Sequence, residues 1–248
     1  LKCIKLAHLI FLKILDLDLL LYHCNILNEC AFIFPEYTTI MKVADKHDKI
    51  VQAAIKVFAR NGFFNSRIAE IAKEANVADG TIYLYFNNKY DILITIFEEE
   101  MGKIIANVKQ ELSGISNPCE KLMRFAHMHL SLMEERRDLA EVIQVELRQS
   151  SKFMKDYRNK KFVEYTNIIA GILTEGQEAG VFREDIIPEI FKRAFFGALD
   201  EMSRFWVLSS HKKYSVKTAA IQISEFFLEG ALTKTGREKR TCRPEQIQ

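Results

Sequence analysis

The sequence predicts an all-α fold, with an N-terminal three-helix helix-turn-helix head followed by a larger C-terminal helical domain. Apolar residues recur at helical spacing almost throughout from Met41 onward. Only 10 glycines and 4 prolines occur in 248 residues, too few breakers for a succession of short strands. Hydrophobic residues make up 48% and charged residues 27%, enough to build a core and still cover it.

Residues 1–40 stand apart. They are rich in Leu and Ile, hold Cys3, Cys24 and Cys30, and contain no arginine. Lys5, His8, Lys13, Asp16 and Asp18 interrupt the apolar residues, so no run reaches the roughly 20 residues that a spanning helix needs. The expectation is a non-native or disordered extension ahead of a start at Met41, with no stable membrane insertion.

A head over residues 41–90 follows. Ile50, Ala53, Ala54, Val57 and Phe58 form one stripe, and Asn61-Gly62 supplies a left-handed stop. Ser66 is placed to cap the next helix, whose inner face is Ile68, Ile71 and Ala72. Asn76 breaks it, and a third short helix is expected over Thr81 to Phe86. A fourth runs from Lys89 to Leu112, with Ile92, Ile96, Met101, Ile104 and Ile105 inside.

Residues 91–232 read as the larger domain. Pro118 sits at a first helical position after Asn117, and Pro188 opens another helix. Helices are expected over 118–134, 138–150, 152–179, 187–209 and 215–232, and residues 233–248 as a basic disordered tail.

Several chemistries find no support. The 5 cysteines include no CxxC pair, and Cys119 and Cys242 stand alone, which fits a reducing, cytoplasmic setting. His127 and His129 are two apart and point to different faces of a helix, so no metal site is expected. No nucleophile elbow, Ser-His-Asp context or phosphate loop occurs, so no catalytic residues are assigned and no cofactor is expected. An all-helical acyl-thioester enzyme and a non-DNA scaffold bundle are the readings from other classes. With a net charge of +2, a nucleic-acid footprint must be a local patch.

That patch is looked for in "VADGTIYLYFNNK", residues 77–89. If Ile82 and Phe86 face inward, Gly80, Thr81, Tyr83 and Tyr85 are left projecting. Hydroxyls and a glycine without bulk suit close approach to a sugar-phosphate backbone and base edges. Asn88 and Lys89 open the fourth helix, where exposed N–H groups and an ammonium favour phosphate. Ser66 and Arg67 start the second helix on the same side. The alternative is a helix corner with ordinary tyrosine packing.

The stretch "SRIAEIAKEANVADGTIYLYFNNKYDIL" resembles the DNA-binding domain of TetR-type repressors, over residues 46 to about 95. By that resemblance Thr81, Tyr83 and Tyr85 map onto DNA-contacting positions, Lys89 onto a phosphate clamp, and Ser66 and Arg67 onto second-helix contacts. Asn76 replaces the usual turn glycine. Ala78 replaces the usual serine cap, which leaves Asp79 to cap the third helix. "VELRQSS" (145–151), "GILTEGQEAG" (171–180) and "FFGALDEMSRFWV" (195–207) are similar to segments of fatty-acid-degradation repressors of Bacillus-type bacteria. That implies a repressor of fatty acid degradation genes released from double-stranded operator DNA by a long-chain acyl-CoA. A TetR-type efflux-pump repressor answering a hydrophobic drug-like effector is the alternative.

An acyl chain needs apolar lining, for which Met101, Ile105, Phe125, Met128, Leu132, Val142, Phe196 and Trp206 are candidates. Arg148 is the candidate cation for the effector's phosphates, with Gln144 and Gln149 beside it. Ordinary bundle core, and a helical ion pair of Arg148 with Glu141 or Glu146, are the alternatives. Phe191, Phe195, Ala198, Met202, Phe205, Ile221, Phe226, Phe227 and Ala231 make an apolar series that predicts a homodimer through 187–209 and 215–232.

Overall fold

The computed structural model of the chain describes residues 35–146, 160–209 and 214–238, with side chains from residue 45 onward except those of 145 and 146. Residues 1–34 of the expected extension, Arg148 and Gln149 of the expected pocket, and the tail from 239 lie outside the described residues.

The chain divides into two units, Leu1–Lys49 and Ile50–Gln248. In the first, the described residues form the beginning of helix α1 (Pro35–Asn61), where Lys49 pairs with Asp45 at 2.6 Å one turn away. The helix therefore begins at Pro35, ahead of Met41.

In the second unit the remainder of α1 packs Ile50, Ala54, Val57 and Phe58 into the core. It ends at Gly62, whose φ of 76° places it in the left-handed region. Helix α2 (Ile68–Glu74) is followed by Asn76 at φ 55°, so Asn takes the left-handed turn here as expected. The Val77 N–H then reaches the Ala72 carbonyl at 2.9 Å and closes the turn. Helix α3 (Asp79–Ile82) is one turn long, and the chain continues as turns to Tyr85. Helix α4 (Lys89–Ser113) is capped by Asn88, whose side chain accepts from the Asp91 N–H at 3.0 Å.

Three expectations about this head change. Arg67, with extended backbone, is the N-cap of α2, and the Glu70 carboxylate accepts its N–H at 2.7 Å. Ser66 instead turns its hydroxyl back onto the Gly62 carbonyl at 2.7 Å and is not the cap. Ala78 is the N-cap of α3 with no side-chain bond, so Asp79 is a first-turn residue and not a cap. The helix is consequently displaced toward the N-terminus relative to the expected Thr81–Phe86.

The rest comprises α5 (Pro118–Glu135), α6 (Arg137–Glu141) running into a π-type turn at Val142–Glu146, α7 (Lys160–Glu178), α8 (Pro188–Leu208) and α9 (Val216–Ala231). Within the described part of the helix expected over 138–150, the α-helix widens at Val142, and residues 147–150 lie outside the described residues. Helix α5 packs against α9 and α7, α7 also against α8 and α4, and among the described residues no helix is long and apolar enough to cross a membrane.

A short helix α10 (Lys234–Glu238) extends order into the expected tail. Thr233 holds it, donating from Oγ1 to the Gly180 carbonyl at 2.9 Å and accepting the Gly236 N–H at 2.8 Å. Nearby, Phe182 lies over Gly176, where an added Cβ would meet ring atom Cδ2 at 2.1 Å.

Candidate nucleic-acid interface and effector-domain core

Helix α3 and the turns that follow it divide their residues between core and surface. Ile82 and Phe86 enter the head core with Ile71 and Ala72. Tyr83 is 60% and Leu84 81% exposed, while Gly80 is open, with nothing within 4 Å of where a Cβ would stand. Thr81 and Tyr85 are half-buried, and Tyr85 packs its ring near Phe86. Arg67, Asn88 and Tyr90 are also exposed. Ser66 is only 4% exposed, so its side chain is not presented with the others.

Lys89 does two jobs that the sequence did not disclose. Its ammonium donates to the carbonyls of Phe64 at 2.9 Å and Ser66 at 3.0 Å. It also stands 4.7 Å over the Phe63 ring. Burial pulls its pKa below the ordinary 10.5. A lysine ammonium has three donors, so one remains for an outside acceptor. The start of α4 is thereby stapled to the segment before α2.

In the larger domain, Phe125 on α5, Tyr165 on α7 and Phe196 on α8 gather around His129. The ring centroids are 5.1 Å apart for Phe125–Tyr165, 5.5 Å for His129–Phe196 and 5.0 Å for Phe162–Phe196. The Tyr165 hydroxyl meets His129 Nδ1 at 2.9 Å inside this cluster. Burial, and then the Asp200 charge, push the Tyr165 hydroxyl's pKa well above 10 and hold it neutral. Of the expected pocket residues, Met101, Ile105, Phe125, Val142, Gln144 and Trp206 are buried, and Met128, Leu132 and Phe196 are half-buried against the core.

The apolar series on α8 and α9 divides in two. Phe191, Phe195 and Ala231 are buried within the subunit, with Phe227 edge-on to Phe195 at 5.1 Å, so these three are core and not an outward face. Phe205 and Phe226 are exposed, joined by Ile187, Ile190 and Leu208, which the sequence reading had not singled out. Glu201 and Arg204 form an exposed pair at 2.6 Å on α8.

A further residue that the sequence reading passed over lies on α4. Glu100 on α4 is 0% exposed. Its Oε1 accepts from Lys103 Nζ at 2.9 Å and from Gln52 Nε2 at 3.3 Å, and its Oε2 accepts from Arg136 Nη1. Burial would raise this carboxyl, but the hydrogen bonds and charges of Lys103 and Arg136 outweigh it and hold the pKa below the ordinary 4.5. Its one local signal was Lys103, a partner three residues on.

Comparison with known proteins agrees with this arrangement. Residues 50–96 match the model for bacterial regulatory proteins of the TetR family, and residues 97–230 match that for the C-terminal region of YsiA-like proteins. The chain is 38% identical over 189 residues to the fatty acid metabolism regulator protein of Bacillus subtilis, covering 76% of this chain and 97% of that one. The structure of FadR from Bacillus subtilis in complex with stearoyl-CoA superposes with a TM-score of 0.69 at 38% identity, over 73% of this chain and 97% of that one. The structure of the fatty acid degradation regulator FadR from Bacillus halodurans does so with a TM-score of 0.70 at 36% identity, over 75% of this chain and 95% of that one. A helix-turn-helix head joined by one long helix to a YsiA-like helical domain, with relatives alike over nearly their whole length, identifies this chain as a member of the TetR family of transcriptional regulators.

Proposed function

We propose that this chain is a cytoplasmic repressor that binds palindromic operator DNA as a homodimer and is released by a long-chain acyl-CoA, so that fatty acid degradation genes are expressed when their substrate is present. The observation that carries this reading is the 38% identity to a fatty acid metabolism regulator over 97% of that protein's length. The FadR likeness, whose structure holds stearoyl-CoA, indicates the effector class.

In this reading Gly80, Thr81 and Tyr83 approach the groove, with Tyr85 and Arg67 on the backbone. The N–H groups that open α4 and the remaining Lys89 donor take a phosphate. The exposed stripe of Ile190, Phe205, Leu208 and Phe226 is the two-fold face. It sets two reading helices about 34 Å apart on successive turns of the duplex. The acyl chain lies among Met101, Ile105, Phe125, Met128, Leu132 and Phe196. A shift of α4 then changes the spacing of the heads, and about 1.4 kcal/mol of preference for the released form weakens operator binding tenfold.

The test is a gel shift of the full chain on the DNA upstream of its own gene, with stearoyl-CoA, free CoA and a panel of hydrophobic drugs. Release by stearoyl-CoA and not by CoA is expected. Release by a drug with stearoyl-CoA inert would make it an efflux-type regulator, and no retained DNA would end the repressor reading.

A further inference from the structure

We propose that Glu100 is a positioning residue that couples the two functional parts of the chain, by holding Gln52 of the head and Arg136 of the larger domain on one buried carboxylate. This rests on the effector reading above, which it deepens.

The three residues come from separate elements, α1, α4 and the junction of α5 with α6. Separations of 48 residues to Gln52 and 36 to Arg136 make the junction a product of tertiary structure alone. Arg136 is fixed by its backbone. Its N–H donates to the Leu132 carbonyl at 3.0 Å, and its own carbonyl accepts from Ala140 at 2.9 Å. Leu132 belongs to the proposed lining, and Val142 and Gln144 follow in the adjoining turn. A chain that enters beside α5 therefore displaces Arg136.

The bonds at Glu100 are unequal. Arg136 and Lys103 make charge-assisted bonds to a carboxylate with no solvent contact, and losing Arg136 would leave the buried charge to Lys103 and Gln52. Gln52 is exposed and neutral, and its bond of 3.3 Å is the longest of the set. Water replaces it at little cost. When the α5–α6 junction moves, Glu100 follows the arginine and the Gln52 link is the one that opens. The head then loses this polar tie between α1 and α4, while the apolar core keeps the helices packed.

The test uses the full chain with its own upstream DNA and stearoyl-CoA as probe. Gln52→Ala removes the link that stearoyl-CoA opens, so operator affinity without stearoyl-CoA should fall by about threefold toward the parent's effector-bound value, and the ratio of operator affinities without and with stearoyl-CoA should fall by the same factor, while affinity for stearoyl-CoA should not fall. An unchanged ratio overturns the proposal. A parent that binds stearoyl-CoA but keeps its operator defeats the effector reading instead. Hydrogen exchange then decides the coupling. Stearoyl-CoA should speed exchange of the α1 amides around Gln52 by several-fold in the parent while leaving α9 amides unchanged. Equal acceleration in both helices, or none in α1, overturns it.

Discussion

The hydroxyl of Tyr165 and Nδ1 of His129 lie 2.9 Å apart in the core of the larger domain, where each satisfies a polar atom of the other. Tyr165→Phe leaves the imidazole without that partner and should cost about 1–3 kcal/mol in urea unfolding. The pH dependence has a definite sign. The folded hydroxyl's pKa is raised, so above about pH 10 the unfolded chain releases a proton that the folded chain keeps, and stability falls. The parent should lose stability more steeply than Tyr165→Phe between pH 9 and 11.

Glu100 should show the opposite dependence. Its pKa is lowered in the folded chain, so its contribution is full above the unfolded value of about 4.3 and drains as pH falls through the folded value. Glu100→Gln should flatten the loss of stability on acidification below about pH 4, measured by denaturant titration at successive pH values. An acid limb identical to the parent's would mean that other carboxylates carry it.

Tyr83→Ala should weaken operator binding by more than about tenfold, because its side chain is 60% exposed beside the open Gly80. Melting temperature and dimer affinity should not move. Arg67→Ala should lower the slope of log affinity against log salt by about 1, as expected when one phosphate contact is lost. Operator affinity of Tyr83→Ala within twofold of the parent would place the reading surface elsewhere.

Phe226 is 77% exposed in the single chain. Phe226→Lys should therefore change the stability of the isolated subunit by no more than about 0.5 kcal/mol. At a two-fold face it brings a charge against its own copy, and sedimentation should report a dimer weakened by about tenfold or more. A dimer of unchanged affinity would move the face away from α9.

The fold was legible where local chemistry decides it. Gly62 and Asn76 announced left-handed turns, and Pro118 and Pro188 announced helix starts, because each restriction acts on its own backbone. Ser66 misled because a serine before a helix reads as a cap, whereas its hydroxyl found a carbonyl of the preceding turn. Ala78 took a cap position with no side chain to contribute, held by backbone geometry and the Thr81 N–H to its carbonyl at 2.8 Å. Glu100 and His129 could not be found by periodicity. A charged or polar residue on a helix reads as solvent-facing until distant partners such as Arg136 and Tyr165 are brought to it.

The Phe182 ring occupies the volume that a side chain at Gly176 would fill, and both residues are buried. Any larger residue at 176 has to wait for a smaller one at 182, yet shrinking the ring first opens a void that itself weakens the domain. Neither position can drift alone. Across descendants of this chain the two should be inherited as one character, and a library randomised at both should return pairs whose combined volume is nearly constant.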